Sequence, residues 1–362
     1  MATIYDVARR AGVSTKTVSR VLNRDAPVAD KTRAAVERAM VELEYIPSLA
    51  ARSMKSQKSG LIGLITGAIS TAADTPAEAG LPEIHIVQGA QRVFENSGKT
   101  LLISDTGGNS ERVPHLIRTF RQHRVEGLVY VADHFKRIDL DLAEGSMKLV
   151  LVNCIDERGT PAVVPDDEDG QLALTRRVIK AGHRRIAYLT LARAVLATER
   201  RVAGYRTALE EAGIAFDADM VAASELFGAM GEHQMIWDAL DKFLTHANPP
   251  TAICCGNDRL AMAVYGILRD RGVSVPDQIS VVGYDDHRLV SETLYPALTT
   301  AELPYNAMGA RAADLLLNMI AQPGNVTATQ PIHVRGQVVE RASLKAPPAE
   351  GNVYQLRGRN QP

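Results

Sequence analysis

The chain has 362 residues, 46% of them hydrophobic and 23% charged, with a net charge of −1, which is the composition of an ordinary globular protein with chain enough for two or three domains. It contains no apolar run of about 18 residues, which excludes a hydrophobic membrane-spanning helix. Its three cysteines, Cys154, Cys254 and Cys255, lack C-x-x-C spacing and an even count, which excludes a disulfide scaffold and reads them as small buried strand residues.

Charge is spread unevenly. Residues 1–60 carry 11 basic and 6 acidic side chains, against 30 and 36 in the remainder, so a basic head precedes a mildly acidic body and a polyanion suits the head. The opening stretch, MATIYDVARRAGVS, lacks the apolar run of an export signal, so a cytoplasmic location is expected.

Residues 1–46 read as three short helices. Ile4, Val7, Ala8 and Ala11 form one apolar face at helical spacing. Gly12 permits a sharp turn, Ser14 stands where an N-cap belongs, and Val18, Val21 and Leu22 give the second helix its inner face. Asp30 is the expected N-cap of a third helix with Val36, Ala39, Met40 and Leu43 inward. Helix, tight turn, helix is the helix-turn-helix arrangement. Pro47 ends the unit, and the basic segment SLAARSMKSQKSG (Ser48–Gly60) is too short to hold a helix alone in water.

The second helix crowds Ser14, Thr15, Thr17 and Ser19 together with Lys16 and Arg20. Hydroxyls weaken a helix by competing for its backbone, so a use outside the chain is implied. A helix in the DNA major groove sets its first side chains against base edges, where Lys and Arg reach guanine O6 and N7. Thr15, Lys16 and Arg20, opposite the apolar face, are the expected base readers; Thr3, Ser14, Thr17, Ser19 and Asn23 are expected on phosphates.

From Leu61 short apolar runs alternate with helical stretches. Strands are expected at 61–66, 100–105, 127–132, 148–153, 184–190, 252–255 and 279–286, with helices near 84–96, 112–123, 170–180, 201–212, 235–244 and 259–271. Two such series predict two α/β subdomains with parallel sheets, facing each other across a cleft at the strands' carboxyl ends. DDEDG (Asp166–Gly170) reads as an acidic N-terminal cap cluster rather than a metal loop, and His183 as part of a helix-to-strand connection. Asp258 and Asp286 are expected as cap and turn residues. No G-x-G-x-x-G, Walker, H-E-x-x-H or G-x-S-x-G motif is present, so no enzyme activity, cofactor or metal site is expected. The tail after Leu344, rich in Pro, Gly and polar residues, is expected to be flexible, and its lack of heptads favours a dimer over a tetramer.

The stretches TIYDVARRAGVSTKTVSRVLN and VADKTRAAVERAMVELEYIPSLAARSMKSQKSGLIGLI resemble the head of the LacI/GalR family of bacterial transcription regulators. The likeness continues in GHRRIAYL (182–189), RRVAGYRTAL (200–209), CGNDRLAMAVYGILRDRGVSVPDQISVVGYDD (255–286) and YPALTT (295–300). It implies a helix-turn-helix domain (1–46), a hinge (47–59), a body of two periplasmic-binding-protein-like α/β subdomains (60–344) and the tail (345–362). It further implies a repressor that binds a pseudo-palindromic operator in double-stranded DNA as a homodimer. In the hinge, the resemblance puts Met54 at the position of a minor-groove wedge, Ser48 at the hinge-helix cap, and Arg52 and Lys55 near phosphates or the minor groove. In the cleft, Arg201, Asn257 and Asp285 match effector-contact positions, Tyr305 matches a stacking aromatic, and Asn153 is a further candidate. A sugar is the expected small-molecule effector; a purine or a sugar phosphate is the alternative, and a solute-binding protein is disfavoured by the head. Residues 67–86, bordering the cleft, do not match the usual pattern and are where effector specificity is expected.

Overall fold

The computed structural model describes residues 2–23, 27–46, 59–67, 84–107, 109–139, 147–193, 195–224, 232–322, 330–348, 354 and 356–357. They fall into two compact units, Met1–Gly60 and Leu61–Pro362. The hinge candidates Ser48, Arg52, Met54 and Lys55, and most of the loop 67–86, lie outside the described residues.

The first unit holds α1 (Ile4–Ala11), α2 (Thr15–Asn23) and α3 (Asp30–Glu42). Thr3 starts α1 with a capping box, its own N–H donating to the Asp6 carboxylate at 2.9 Å. Gly12 ends that helix in the left-handed region, and Ser14 Oγ caps α2 by accepting the Thr17 N–H at 3.1 Å. Val7, Val18 and Val36 are completely buried between the helices, with Val21, Leu22, Met40 and Leu43 packed around them. The expected cap at Asp30 is corrected: Ala29 occupies the cap position without a side-chain bond, and Asp30 is the first helical residue, where its charge favours the helix dipole.

The second unit is built on two six-stranded sheets. Its strands are β1 (Leu61–Thr66), β2 (Thr100–Asp105), β3 (Gly127–Arg137), β4 (Lys148–Ile155), β5 (Ala162–Pro165), β6 (Ile186–Thr190), β7 (Val221–Ala223), β8 (Ala252–Cys255), β9 (Ser280–Asp285), β10 (Thr299–Glu302), β11 (Ile332–Val334) and β12 (Val338–Val339). One sheet runs β11-β5-β4-β3-β1-β2, all parallel. The other runs β12-β10-β9-β8-β6-β7, parallel except for β12, which pairs antiparallel with β10. The helices are α4 (Ile84–Asn96), α5 (Val113–Gln122), α6 (Asp167–Lys180), α7 (Leu196–Glu211), α8 (Glu232–Leu244), α9 (Asp258–Asp270), α10 (Arg288–Ser291) and α11 (Tyr305–Ala321).

Strand side chains alternate between two buried faces. On the first sheet Ile62, Leu64, Val129, Val131, Val150 and Val152 meet α4 and α11, while Leu128, Tyr130, Leu149 and Leu151 meet α5. On the second, Tyr188, Cys254, Val282 and Tyr284 meet α6 and α7, while Leu189, Ile253, Cys255 and Val281 meet α8 and α9. All three cysteines are buried free thiols. The chain crosses between the sheets three times: from β5 to α6, from β10 to α11 and from β11 to β12. Crossing after β5 and after β10 places a crevice at the carboxyl ends of the strands. His183 lies between α6 and β6, its ring bonded to the Thr251 hydroxyl at 2.9 Å and the Lys345 carbonyl at 2.7 Å.

Two departures from expectation stand out. The acidic run does stand at the N-terminus of α6, where its charge favours the helix dipole, but Asp166 at the cap position makes no side-chain cap bond and Asp167 turns inward. The described part of the tail packs on the body: Tyr354 is buried with its hydroxyl donating to the Pro250 carbonyl, and the Arg357 N–H donates to the Arg271 carbonyl at 3.0 Å.

Asp258, expected as a helix cap, is corrected too. It is completely buried at the start of α9, where its carboxylate accepts the Thr300 hydroxyl at 2.6 Å and the His287 N–H at 2.8 Å, tying α9, β10 and the start of α10 to one point. The cap is Asn257, whose Oδ1 accepts the Leu260 N–H at 2.8 Å.

Two expectations follow. Helices α4 and α11 touch through glycines: a Cβ on Gly309 would overlap the Ile86 carbonyl, and one on Gly89 the Asn306 carbonyl. Backbone cannot yield as a side chain tip can, so Gly309→Ala should destabilise the fold by about 1–3 kcal/mol in urea titration. Burial raises the Asp258 carboxyl from 3.8 to about 7. A carboxyl raised in the folded state stabilises it most at low pH, and that contribution is lost as pH rises through about 7. In Asp258→Asn, the amide can accept from His287 and donate to the Thr300 oxygen. Its urea midpoint should therefore fall less than that of the parent between about pH 5 and about pH 8.

Candidate functional site

On the first unit, Lys16 and Arg20 are exposed on the face of α2 opposite the buried Val18. Thr15, Thr17 and Ser19 are half-buried beside them, and Asn23 is the last residue of the helix. Thr3 and Ser14 are exposed but also serve the helix starts. The Thr3 hydroxyl donates to Asp6 at 2.6 Å, and the Ser14 hydroxyl shares a hydrogen bond with that of Thr17 at 3.0 Å. Tyr5 on α1 is 69% exposed, an aromatic that the apolar periodicity gave no reason to single out.

On the second unit, three expected effector residues gather at the carboxyl ends of β8 and β9. Arg201 projects from α7, and its side chain is only 4% exposed. Its Nε donates to Asp167 Oδ1 at 2.7 Å and its Nη1 to the Gly256 carbonyl at 2.5 Å, just past β8. The guanidinium lies over the Tyr284 ring, 3.7 Å from the centroid. Burial works against the guanidinium charge, but Asp167, the Tyr284 hydroxyl and Asp285 together hold it above its ordinary range, so it stays a cation. Asn257 follows Gly256 directly, half-buried and committed through Oδ1 to its cap. Asp285 ends β9, half-buried, with φ of 117°, and Asp286 follows at φ of 51°. Backbone angles this rare for residues with a Cβ are held by their surroundings and cluster at binding sites. Asp286 is anchored by Arg341 at 2.7 Å and by the Ser291 hydroxyl at 3.1 Å.

Asn153 and Tyr305 belong to other elements. Asn153 lies in β4 of the first sheet, buried, with φ of 59° and its Nδ2 donating to the Ala132 carbonyl at 3.3 Å. Tyr305 begins α11 just after the crossover from β10 and is buried. The Leu303 N–H donates to the Asp285 carbonyl at 3.1 Å, which ties that crossover to the strand-end cluster. The sequence reading missed Asp167 and Tyr284. Asp167 was visible only as one acid among several in DDEDG, and Tyr284 only as a strand aromatic. Among the described residues no group of three or more His, Cys, Asp or Glu is placed to hold a metal, and no helix is long and apolar enough to cross a membrane.

Residues 3–48 match the model for bacterial regulatory proteins of the lacI family, and residues 175–344 match that for a periplasmic binding protein-like domain. The chain is 34% identical to the HTH-type transcriptional regulator GalR of Escherichia coli, over 96% of this chain and 98% of that one. It is 31% identical to the HTH-type transcriptional repressor PurR of Vibrio atlanticus, over 95% and 99%. Among solved structures, the lac repressor dimer bound to operator and the anti-inducer ONPF superposes with a TM-score of 0.77 at 26% identity, covering 95% of this chain and 99% of that one. The helix-turn-helix unit, the two parallel sheets and these full-length likenesses agree: the chain belongs to the LacI family of bacterial transcriptional regulators.

Proposed function

We propose that this chain is a repressor that binds a pseudo-palindromic operator as a homodimer and is controlled by a neutral sugar in the cleft of its body, with no catalytic activity of its own. The observation that carries the reading is the orientation of α2: Ser14 caps it, Val18 anchors its inner face, and Lys16 and Arg20 stand out in solvent. In that position a helix docks in the major groove, and a two-fold dimer presents two such helices to successive turns. Thr15, Lys16 and Arg20 read bases. Thr3, Ser14, Thr17, Ser19 and Asn23 hold phosphates, and residues 47–59 form the hinge, with Ser48, Arg52, Met54 and Lys55 as its DNA contacts. The cleft residues are Arg201, Asn257, Asp285, Tyr305 and Asn153. Sugars suit planar charged groups that engage several hydroxyls at once, a carboxylate accepting and a guanidinium donating. The effector controls DNA binding to the extent that it favours one state of the body, typically by about 1–3 kcal/mol.

A base contact and a phosphate contact have different signatures. Lys16→Ala should change which operator variants are preferred, removing about 1–3 kcal/mol of discrimination at one base pair. Ser19→Ala should weaken all sequences alike. Gel-shift titration against an operator library separates the two, and a uniform loss in Lys16→Ala would remove that residue from the base readers. For the cleft, a thermal-shift screen of sugars, sugar phosphates and purine bases should give a saturable rise from a sugar. That rise should vanish in Asp285→Ala. A rise from a purine alone would transfer the reading to a purine-responsive regulator.

A further inference from the structure

In the second sheet Ile186, Ala252 and Ser280 pair in one row, so β6, β8 and β9 begin side by side. The chain beyond β12 passes that row. The Lys345 N–H donates to Ser280 Oγ at 3.1 Å, and the Lys345 carbonyl accepts from Ser280 Oγ at 3.2 Å and from His183 Nε2 at 2.7 Å. A carbonyl can only accept, so Nε2 carries the proton. His183 stands just before β6 and Ser280 opens β9, and both are buried. Pro347 then lies against Gly182, where an added Cβ would come within 3.2 Å of it. Further on, the buried Tyr354 donates its hydroxyl to the Pro250 carbonyl, two residues before β8, and Leu356 packs on the same core. Arg357 and Arg271, just past α9, exchange two bonds. The Arg357 N–H donates to the Arg271 carbonyl at 3.0 Å, and Arg271 Nη1 donates to the Arg357 carbonyl at 2.7 Å. Arg271 also reaches Asp241 of α8 at 2.5 Å.

We propose that the tail residues Lys345, Pro347, Tyr354 and Arg357 form a strap that ties β6, β8 and β9 together at their amino ends and so keeps their carboxyl ends in place. Parallel strands are joined through helices rather than hairpins, so no tight turn fixes one strand end against the next. The strap supplies that tie from outside the sheet. It also satisfies buried polar groups: without it the His183 Nε2–H and the Arg271 Nη1 lose the carbonyls they meet, and an orphaned buried donor costs more than its bond contributed. The three tied strands are neighbours in the sheet, and β8 and β9 run from the strap to Gly256 and Asp285 at the other end. Gly256 is the residue whose carbonyl receives Arg201. The strap's anchors all belong to the second sheet and the helices beside it, so the first sheet gains nothing from it directly.

The test is amide hydrogen exchange in the full-length protein, in a chain ended after Ala346, and in the Tyr354→Ala and Tyr354→Phe variants. The Gly256 N–H, bonded to the Leu189 carbonyl at 2.7 Å, reports on the carboxyl ends. The first-sheet strands β1, β3 and β4 serve as the internal reference. Ending the chain after Ala346, or Tyr354→Ala, should speed exchange in β6, β8 and β9 by about tenfold or more, Gly256 included, and in the reference strands by less than about twofold. Tyr354→Phe loses only the bond to the Pro250 carbonyl and should speed second-sheet exchange by about threefold with the same division between the sheets. If the shortened chain and Tyr354→Ala fail to fold, Tyr354→Phe decides alone. Exchange unchanged from the parent overturns the strap. Equal acceleration in both sheets also overturns it, since the tail would then be a general prop of the body. Acceleration at the amino ends that spares Gly256 overturns the reach of the strap to the carboxyl ends.

Discussion

A guanidinium cannot shed its proton at any pH the protein meets, so burying Arg201 forces its surroundings to answer a permanent charge. Three elements converge to do so. The start of α6 supplies Asp167, the end of β8 supplies the Gly256 carbonyl, and the last two residues of β9 supply the Tyr284 ring and the Asp285 charge. Removing one partner from a buried pair leaves an uncompensated charge, which costs far more than the pair contributes. The position of α7 against the second sheet, the entry of the chain from β5 and the backbone at the end of β9 are thereby coupled. Positive φ at Asp285 and Asp286 is the local strain that this convergence sustains.

The same region is where the body is threaded together. The chain leaves the first sheet after β5 and reaches Asp167 at the start of α6. It leaves the second after β10 and reaches Tyr305 at the start of α11. Both crossovers border the cluster, Asp167 opening α6 after β5 and the Leu303 N–H bonding the Asp285 carbonyl after β10. Away from the joints, glycines let helix backbones touch. Gly89 and Gly309 bring α4 against α11, and Gly204 brings α7 against α6. Contacts this close make each subdomain a stiff body.

The strands of the two main series were legible because a parallel strand covered on both faces is a short, nearly continuous apolar run, as in LIGLIT or KLVLVN. The first three helices were legible because Ile4, Val7, Ala8 and Ala11, then Val18, Val21 and Leu22, then Val36, Ala39, Met40 and Leu43 stand at helical spacing between turn and cap residues. The elements left out were of two kinds. β5, β7, β10, β11, β12 and the single-turn α10 are two to four residues long, too short for a periodic pattern, and the strands among them exist because a neighbouring strand offers hydrogen bonds. α11 is apolar over much of its surface, being packed against both α4 and the first sheet, so it shows little of the one-sided pattern that marks a helix. The tail misled for a related reason. Its composition suits a solvated strand of chain, yet Tyr354 finds a buried place for its ring and a carbonyl for its hydroxyl.

Local sequence determined the helix-turn-helix unit and the alternation of strand and helix, because each rests on residues a few positions apart whose spacing alone fixes which face is apolar; the likeness to a family of regulators came from whole motifs rather than from spacing. The family resemblance marked Arg201, Asn257 and Asp285 as residues to watch. Tertiary structure alone decided how they are engaged. Asn257 is committed to a helix cap, Asp258 is buried as a node rather than serving as that cap, and Asp167 rather than Asp166 is the acid of DDEDG turned inward. Asp167 and Arg201 are 34 residues apart and Arg201 and Gly256 are 55 apart. No local pattern encodes which of several carboxylates will meet a buried cation. That choice depends on how two helices and two strand ends pack, and on the electrostatic cost of leaving the cation alone.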